Sequence, residues 1–239
     1  MPDRKGRGAK RAVPGGRPQF QPQPERTLRG RGADRLEERA RFLIVCEGTN
    51  TEPHYFEGFR VPGLVVDTVG TGRSTLSLVE ETIRVKEERE AQARRTGKPS
   101  YDQVWCVFDK DSFPPDAFNA AIRKAEAAGF QVAYSNEAFE LWYLLHFEDH
   151  RSALDRHQYV TKLRDHLGSY EKDSRNSRAM YGRLQSRQAQ AGKRAESLRA
   201  EYGKAHNPQA DNPCTTVHRL VQALRANVSP PIEDELARG

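Results

Sequence analysis

Four short apolar runs constrain this chain more than any other feature: FLIVC at Phe42–Cys46, GLVVDTVG at Gly63–Gly70, QVWCVFD at Gln103–Asp109 and FQVAYSN at Phe130–Asn136. Near-continuous apolar runs of this length, bounded by glycine or charge, belong to strands buried on both faces. Helical signals fill the gaps between them. Thr51-Glu52-Pro53 opens one helix, with Thr51 as cap, Pro53 in the first turn and Tyr55, Phe56 and Phe59 as its apolar face. Ser74 or Thr75 caps a longer one that reaches about Thr96, with Leu76, Leu78, Val79, Ile83 and Val85 turned inward. Pro114-Pro115 opens a third, which carries Phe118, Ile122 and Ala125 and ends at Gly129. EAFELWYLLHF, Glu137–Phe147, reads as a fourth and strongly hydrophobic helix. Alternating strands and helices of this kind predict an α/β fold, a parallel sheet with helices on both faces.

The flanks differ in composition. Residues 1–40 are rich in Arg, Gly, Pro and Gln and nearly lack aliphatic side chains. Such a segment cannot bury enough surface to offset its ordering entropy, so it reads as a disordered basic tail. Residues 151–226 read as a basic helical region; within it 151–205 is thin in core residues and poorly amphipathic, expected to pack loosely on the sheet or to reach for a partner. Asn212-Pro213 interrupts it before a last helix over Thr215–Ala226, and 227–239 read as a frayed tail. The formal charge of +6 conceals segregation, with a net +7 in residues 1–41, −7 in 42–150 and +7 in 151–205. Basic segments attract polyanions, and an acidic cluster within a folded body attracts hard cations.

In an open parallel sheet, ligands bind beyond the carboxyl ends of the strands. Glu47 and Gly48 follow the first run; Asp109, Lys110 and Asp111 follow the third; Ser135, Asn136 and Glu137 follow the fourth, with Glu140 one turn on. Clustered carboxylates repel one another, and a divalent cation relieves that repulsion. With no histidine or cysteine at these positions, Mg²⁺ or Mn²⁺ is the expected ion. The GTGRST stretch at Gly70–Thr75, including Arg73, offers a weaker phosphate cradle, which a capped turn explains equally well.

Four segments in order, IVCEGTNTEPHYFEGF, VWCVFDKDSF, VAYSNEAFELWYLLHFE and NPCTTVHRLV, resemble the signature segments of the RloB family, a phage-resistance family related to AbiLii. The resemblance spans roughly residues 41–225 and implies a Toprim-like catalytic domain over 41–150, with the basic helical region packed upon it. It implies metal-dependent phosphodiester cleavage of RNA or DNA in abortive infection. Glu47, Asp109 and Asp111 then stand as catalytic and metal-binding residues, with Glu52 and Glu140 as further acidic candidates. Glu140 serves equally as a buried salt-bridge partner, and Glu52 as a charge favourable to a helix N-terminus. Lys110, Arg73, Asn136 and His218 are weaker candidates for substrate contact. Tyr134, Trp142 and Tyr143 offer base stacking, against which core packing is the stronger expectation for Trp142. The resemblance implies nucleic acid and a separately encoded ATPase as partners; the chain carries no Walker motif, so any ATP dependence would come from that second chain.

Two other readings compete. VFDKDS is similar to the nucleophile loop of haloacid dehalogenase-type phosphatases, with Asp109 as nucleophile, but the downstream lysine and acidic pair that chemistry needs are not evident. A non-catalytic nucleic-acid-binding or adaptor subunit is the other. No apolar run is long enough to span a membrane, and the three cysteines, Cys46, Cys106 and Cys214, have no metal-ligand spacing. They read as small core residues of a cytoplasmic protein.

Overall fold

The structure, a computed structural model, describes residues 40–73, 75–110 and 115–227. Residues 1–39 of the expected basic tail, the Ser74 cap, Asp111, Pro114 and residues 228–239 lie outside these described residues, whereas Ala40, expected in the tail, is buried in a strand. The four apolar runs are strands: β1 (Ala40–Cys46), β2 (Leu64–Gly70), β3 (Gln103–Asp109) and β4 (Gln131–Asn136). Between them run α1 (Thr51–Glu57), α2 (Thr75–Arg95) and α3 (Pro115–Ala127). After β4 come α4 (Glu140–Leu144), α5 (Arg156–Leu167), α6 (Ser174–Leu184), α7 (Gln188–Ala200), a two-residue strand β5 (Cys214–Thr215) and α8 (Val217–Ala226).

The sheet order is β2-β1-β3-β4-β5, parallel throughout except for β5, which pairs antiparallel with the end of β4. Alternation along each strand divides the core into two layers. Phe42, Ile44 and Cys46 of β1, with Trp105 and Val107 of β3, face α1 and α4 to α8. Leu43 and Val45, with Val104, Cys106 and Phe108, face α2 and α3. Both faces of the central strands are therefore covered, which explains why their sequences are apolar without a period of two. All three cysteines are buried and free, as expected.

Several expectations need correction. Leu76 is exposed. The buried row of α2 is Leu78, Val79, Thr82 and Val85, and at roughly 100° per residue Leu76 points well away from the centre of that row. Thr51 is the first helical residue of α1 rather than its cap; Asn50 holds the cap position, with no side-chain capping bond. The helix expected from Glu137 starts at Glu140, because the chain first turns to bury Ala138 and Phe139. The last helix starts at Val217, since Cys214 and Thr215 pair with Asn136 and Ser135.

The largest correction concerns the basic helices. Tyr159, Leu163, Tyr170, Met180, Leu184, Ala191, Ala195 and Leu198 are all buried within the same apolar cluster as one face of the sheet. Their contribution is easy to underestimate in the sequence because α7 meets the core largely through alanines, which pack closely without raising apparent hydrophobicity.

Candidate active site

The strand order places a topological switch between β1 and β3. From β1 the chain crosses to β2 on one side, and from β3 it continues to β4 on the other. A crevice opens at such a point beyond the carboxyl ends of the strands. Glu47 leaves β1 there: its N–H donates to Val107 O at 2.8 Å, and its carbonyl accepts from Gly72 N–H at 2.8 Å. With the backbone fixed on both sides, the Glu47 carboxylate turns toward β3, where its Oε2 accepts from Asp109 N–H at 3.4 Å.

The crevice encloses about 200 Å³ and is lined by Gly48–Glu52, Asp109, Phe139, Glu140, Arg156 and Lys172. Three of its carboxylates are almost entirely withdrawn from water: Glu52 and Asp109 are 6% exposed and Glu140 1%. Burial, together with Glu140 nearby, pushes the Glu52 carboxyl up to about 7, partly opposed by a backbone hydrogen bond and by Lys172 and Arg156. Burial and the charges of Glu52 and Glu140 hold the Asp109 carboxyl well above its ordinary range, against the pull of Arg156. Gly48 makes this packing possible. A Cβ at that position would stand 2.2 Å from Glu52 Oε2, so only glycine leaves the carboxylate its place against the loop.

The segment between α5 and α6 closes over the crevice. Tyr170 Oη donates to Glu140 Oε1 at 2.9 Å, and Lys172 Nζ lies 2.7 Å from the same oxygen. Ser174 Oγ donates to Asn50 Oδ1 at 2.9 Å, tying the start of α6 to the loop after β1. Arg156, the first residue of α5, reaches Asp109 Oδ2 at 3.5 Å. Its position is fixed by a capping box: Asp155 Oδ1 accepts from Gln158 N–H, and Gln158 Oε1 accepts from Asp155 N–H, both at 2.9 Å. Arg156, Tyr170, Lys172 and Ser174 were missed in the sequence. The Asp-Arg-His-Gln box was legible as a helix start, but nothing local in the sequence marks Lys172 or Tyr170 as neighbours of Glu140.

Among the residues expected from sequence, Glu52, Asp109 and Glu140 share the crevice, and Glu47 stands beside it against the end of β3. Asp111 lies outside the described residues. Lys110 follows β3, its N–H bonded to Ser135 O at 2.8 Å. The weaker substrate candidates have other engagements. Arg73 lies 3.6 Å from Glu81. Asn136 is fully buried and donates to Pro208 O and Gln209 O at 3.2 and 3.1 Å, pinning the loop before β5. His218 is buried in α8, and burial lowers its pKa to about 4. The aromatic side chains considered for stacking, Tyr134, Trp142 and Tyr143, are buried, and Trp142 Nε1 donates to Tyr55 Oη at 3.0 Å inside the core.

The donor set suits a hard cation. The acidic side chains that line the crevice offer carboxylate oxygens, and Asp109 Oδ1 is buried with no hydrogen-bond partner among the described residues. Among the described residues, no three His, Cys, Asp or Glu side chains stand together as a ready-made metal site. Arg156 and Lys172 instead supply the positive charge next to Asp109 and Glu140. Also among the described residues, no helix is long and apolar enough to cross a membrane.

Comparison with curated proteins and with solved structures gave no match. Residues 42–224 match the family described as RloB-like protein, a span that begins within β1, ends within α8 and includes every residue lining the crevice. This chain belongs to the RloB-like protein family.

Proposed function

We propose that the protein is a metal-dependent nuclease that cleaves phosphodiester bonds of RNA or DNA. One observation carries the reading: Glu52, Asp109 and Glu140, all buried, line one crevice at the switch point of a parallel sheet, with Glu47 held against the backbone of Asp109. A buried acidic cluster is costly unless it serves a cation. Asp109 and Glu47 would hold Mg²⁺ or Mn²⁺ together with Asp111, and Glu52 and Glu140 would complete the acidic wall. Bound there, the metal would polarise the phosphoryl oxygen and stabilise the leaving oxygen. The protein's own part is positional. The β1–α1 loop, held by Gly72 and Ser174, fixes the direction of Glu47. Tyr170 orients Glu140, and the covering α5–α6 segment restricts water at the crevice.

Family membership supports a role in antiphage defence, with nucleic acid as the partner. Any requirement for ATP would fall to a separate ATPase. The test incubates purified protein with plasmid, single-stranded DNA and total tRNA, in Mg²⁺ or in EDTA. Cleavage that needs metal and is lost in Asp109→Ala and Glu47→Ala is the expected result. Intact nucleic acid with every metal, and with a partner ATPase supplied, would overturn it. Release of phosphate from small phosphomonoesters would favour the phosphatase reading, and binding that survives both substitutions the adaptor reading.

A further inference from the structure

The cations of the crevice come from outside the sheet. Arg156 opens α5 and Lys172 lies in the segment before α6, yet both line the same cleft as Glu52, Asp109 and Glu140. Their partners are buried, whereas the Arg156 and Lys172 side chains remain 36% and 35% exposed, so both can be reached from the mouth of the cleft. A side chain that only neutralises a buried carboxylate has no need to stay at the surface. Glu140 Oε1 already accepts from Tyr170 Oη, so Lys172 supplies charge beyond what hydrogen-bond satisfaction requires. Asp109 keeps Oδ1 buried and without a hydrogen-bond partner among the described residues, although Arg156 stands beside Oδ2. Asp109 thus retains capacity for a further positive ligand beside Arg156.

Charge decides the next step. Among the residues lining the crevice three acidic side chains face two cations, and Glu47 adds a further carboxylate beside Asp109. A divalent cation would offset that acidic surplus and leave the two cations to attract a phosphodiester. We propose that Arg156 and Lys172 have two tasks in turn: counter-ions to Asp109 and Glu140 while the cleft holds no metal, and ligands of the substrate's phosphate backbone once a divalent cation takes over the carboxylates. The inference rests on the nuclease reading and names its substrate-binding residues. It makes the basic helical region a wall of the site rather than a remote electrostatic arm. Metal and polyanion then bind cooperatively, because the metal releases the cations that the phosphate requires.

The test uses the full chain with Arg156→Gln and Lys172→Gln. Mn²⁺ affinity is measured by calorimetry, and affinity for a short fluorescent oligonucleotide by anisotropy in Ca²⁺. Removing a competing cation should tighten Mn²⁺ several-fold, while loss of a charged phosphate contact should weaken the oligonucleotide about tenfold. The two affinities must move in opposite directions. If both fall, the cations only hold the fold. If Mn²⁺ tightens and the oligonucleotide is unaffected, they are counter-ions alone; if only the oligonucleotide weakens, there is no exchange. Each of these results overturns the proposal. Lys172→Arg and Arg156→Lys should restore both affinities toward wild type, and thermal melting in EDTA verifies that each variant is folded. Should Lys172→Gln not fold, Lys172→Met keeps the packing of the stem and carries the same test. Cleavage is not a readout here. Wild-type protein that fails to cleave with every metal and with a partner ATPase supplied would sink the nuclease reading, whereas wild-type cleavage with unchanged affinities in both variants would overturn this inference alone.

Discussion

Replacing Glu52 by glutamine removes a charge that the metal-free protein holds at a cost. Burial, with Glu140 nearby, pushes the Glu52 carboxyl up to about 7, against an ordinary value of 4.5. A carboxyl raised in this way binds its proton more tightly in the folded than in the unfolded chain. Stability is therefore highest below the unfolded value and is lost as pH rises through the window from about 4.5 to about 7. At about 1.4 kcal/mol per pKa unit, the complete loss is on the order of 3 kcal/mol, most of it between about pH 5 and about pH 8. Glu52→Gln keeps the shape of the protonated acid and cannot ionise, so it escapes that loss. Relief of Asp109 acts in the same direction, because the Glu52 charge helps to raise its carboxyl. The assay is urea unfolding in EDTA, followed by circular dichroism, for wild type and variant at both pH values. The difference should widen in favour of the variant by about 2 to 3 kcal/mol toward the higher pH. A difference that stays constant, or widens in favour of wild type, would refute the reasoning: Arg156 and Lys172 would then neutralise Glu52 fully.

Two further substitutions probe the architecture around the site. Gly48→Ala places a Cβ 2.2 Å from Glu52 Oε2, so the carboxylate must swing away. Mn²⁺ affinity and metal-dependent cleavage should both drop while stability falls by about 1 to 3 kcal/mol, and unchanged affinity by calorimetry would separate Glu52 from the metal site. Leu198→Ala removes a side chain of α7 that is 1% exposed in the cluster shared with the sheet. Urea unfolding should show a single transition weakened by about 2 to 5 kcal/mol, whereas a separate early transition would mean that the helices unfold apart from the sheet.

The strands were legible because each central one is buried on both faces, and an apolar run is the direct imprint of that burial. β3 begins and ends at the expected residues, Gln103 and Asp109. β5 was not legible. It is two residues long and exists only because Cys214 and Thr215 meet the end of β4 some 80 positions earlier in the chain. Glu47, Asp109, Glu52 and Glu140 could be read as candidates, since the carboxyl ends of strands are where a parallel sheet presents ligands. Their partners could not. Tyr170 and Lys172 reach Glu140 from 30 and 32 residues away in sequence, and Arg156 reaches Asp109 from 47.

The sequence by itself therefore determined the alternation of strands and helices, the segregation of charge and the acidic rim, because these follow from local burial and from residue type. Tertiary structure decided the strand order that brings Glu47 beside Asp109, and the packing of a basic region against the sheet through alanines and tyrosines. It also decided which two of that region's many cations face the carboxylates. Those choices depend on contacts between distant segments, whose free energy appears only when both sides of the contact are in place.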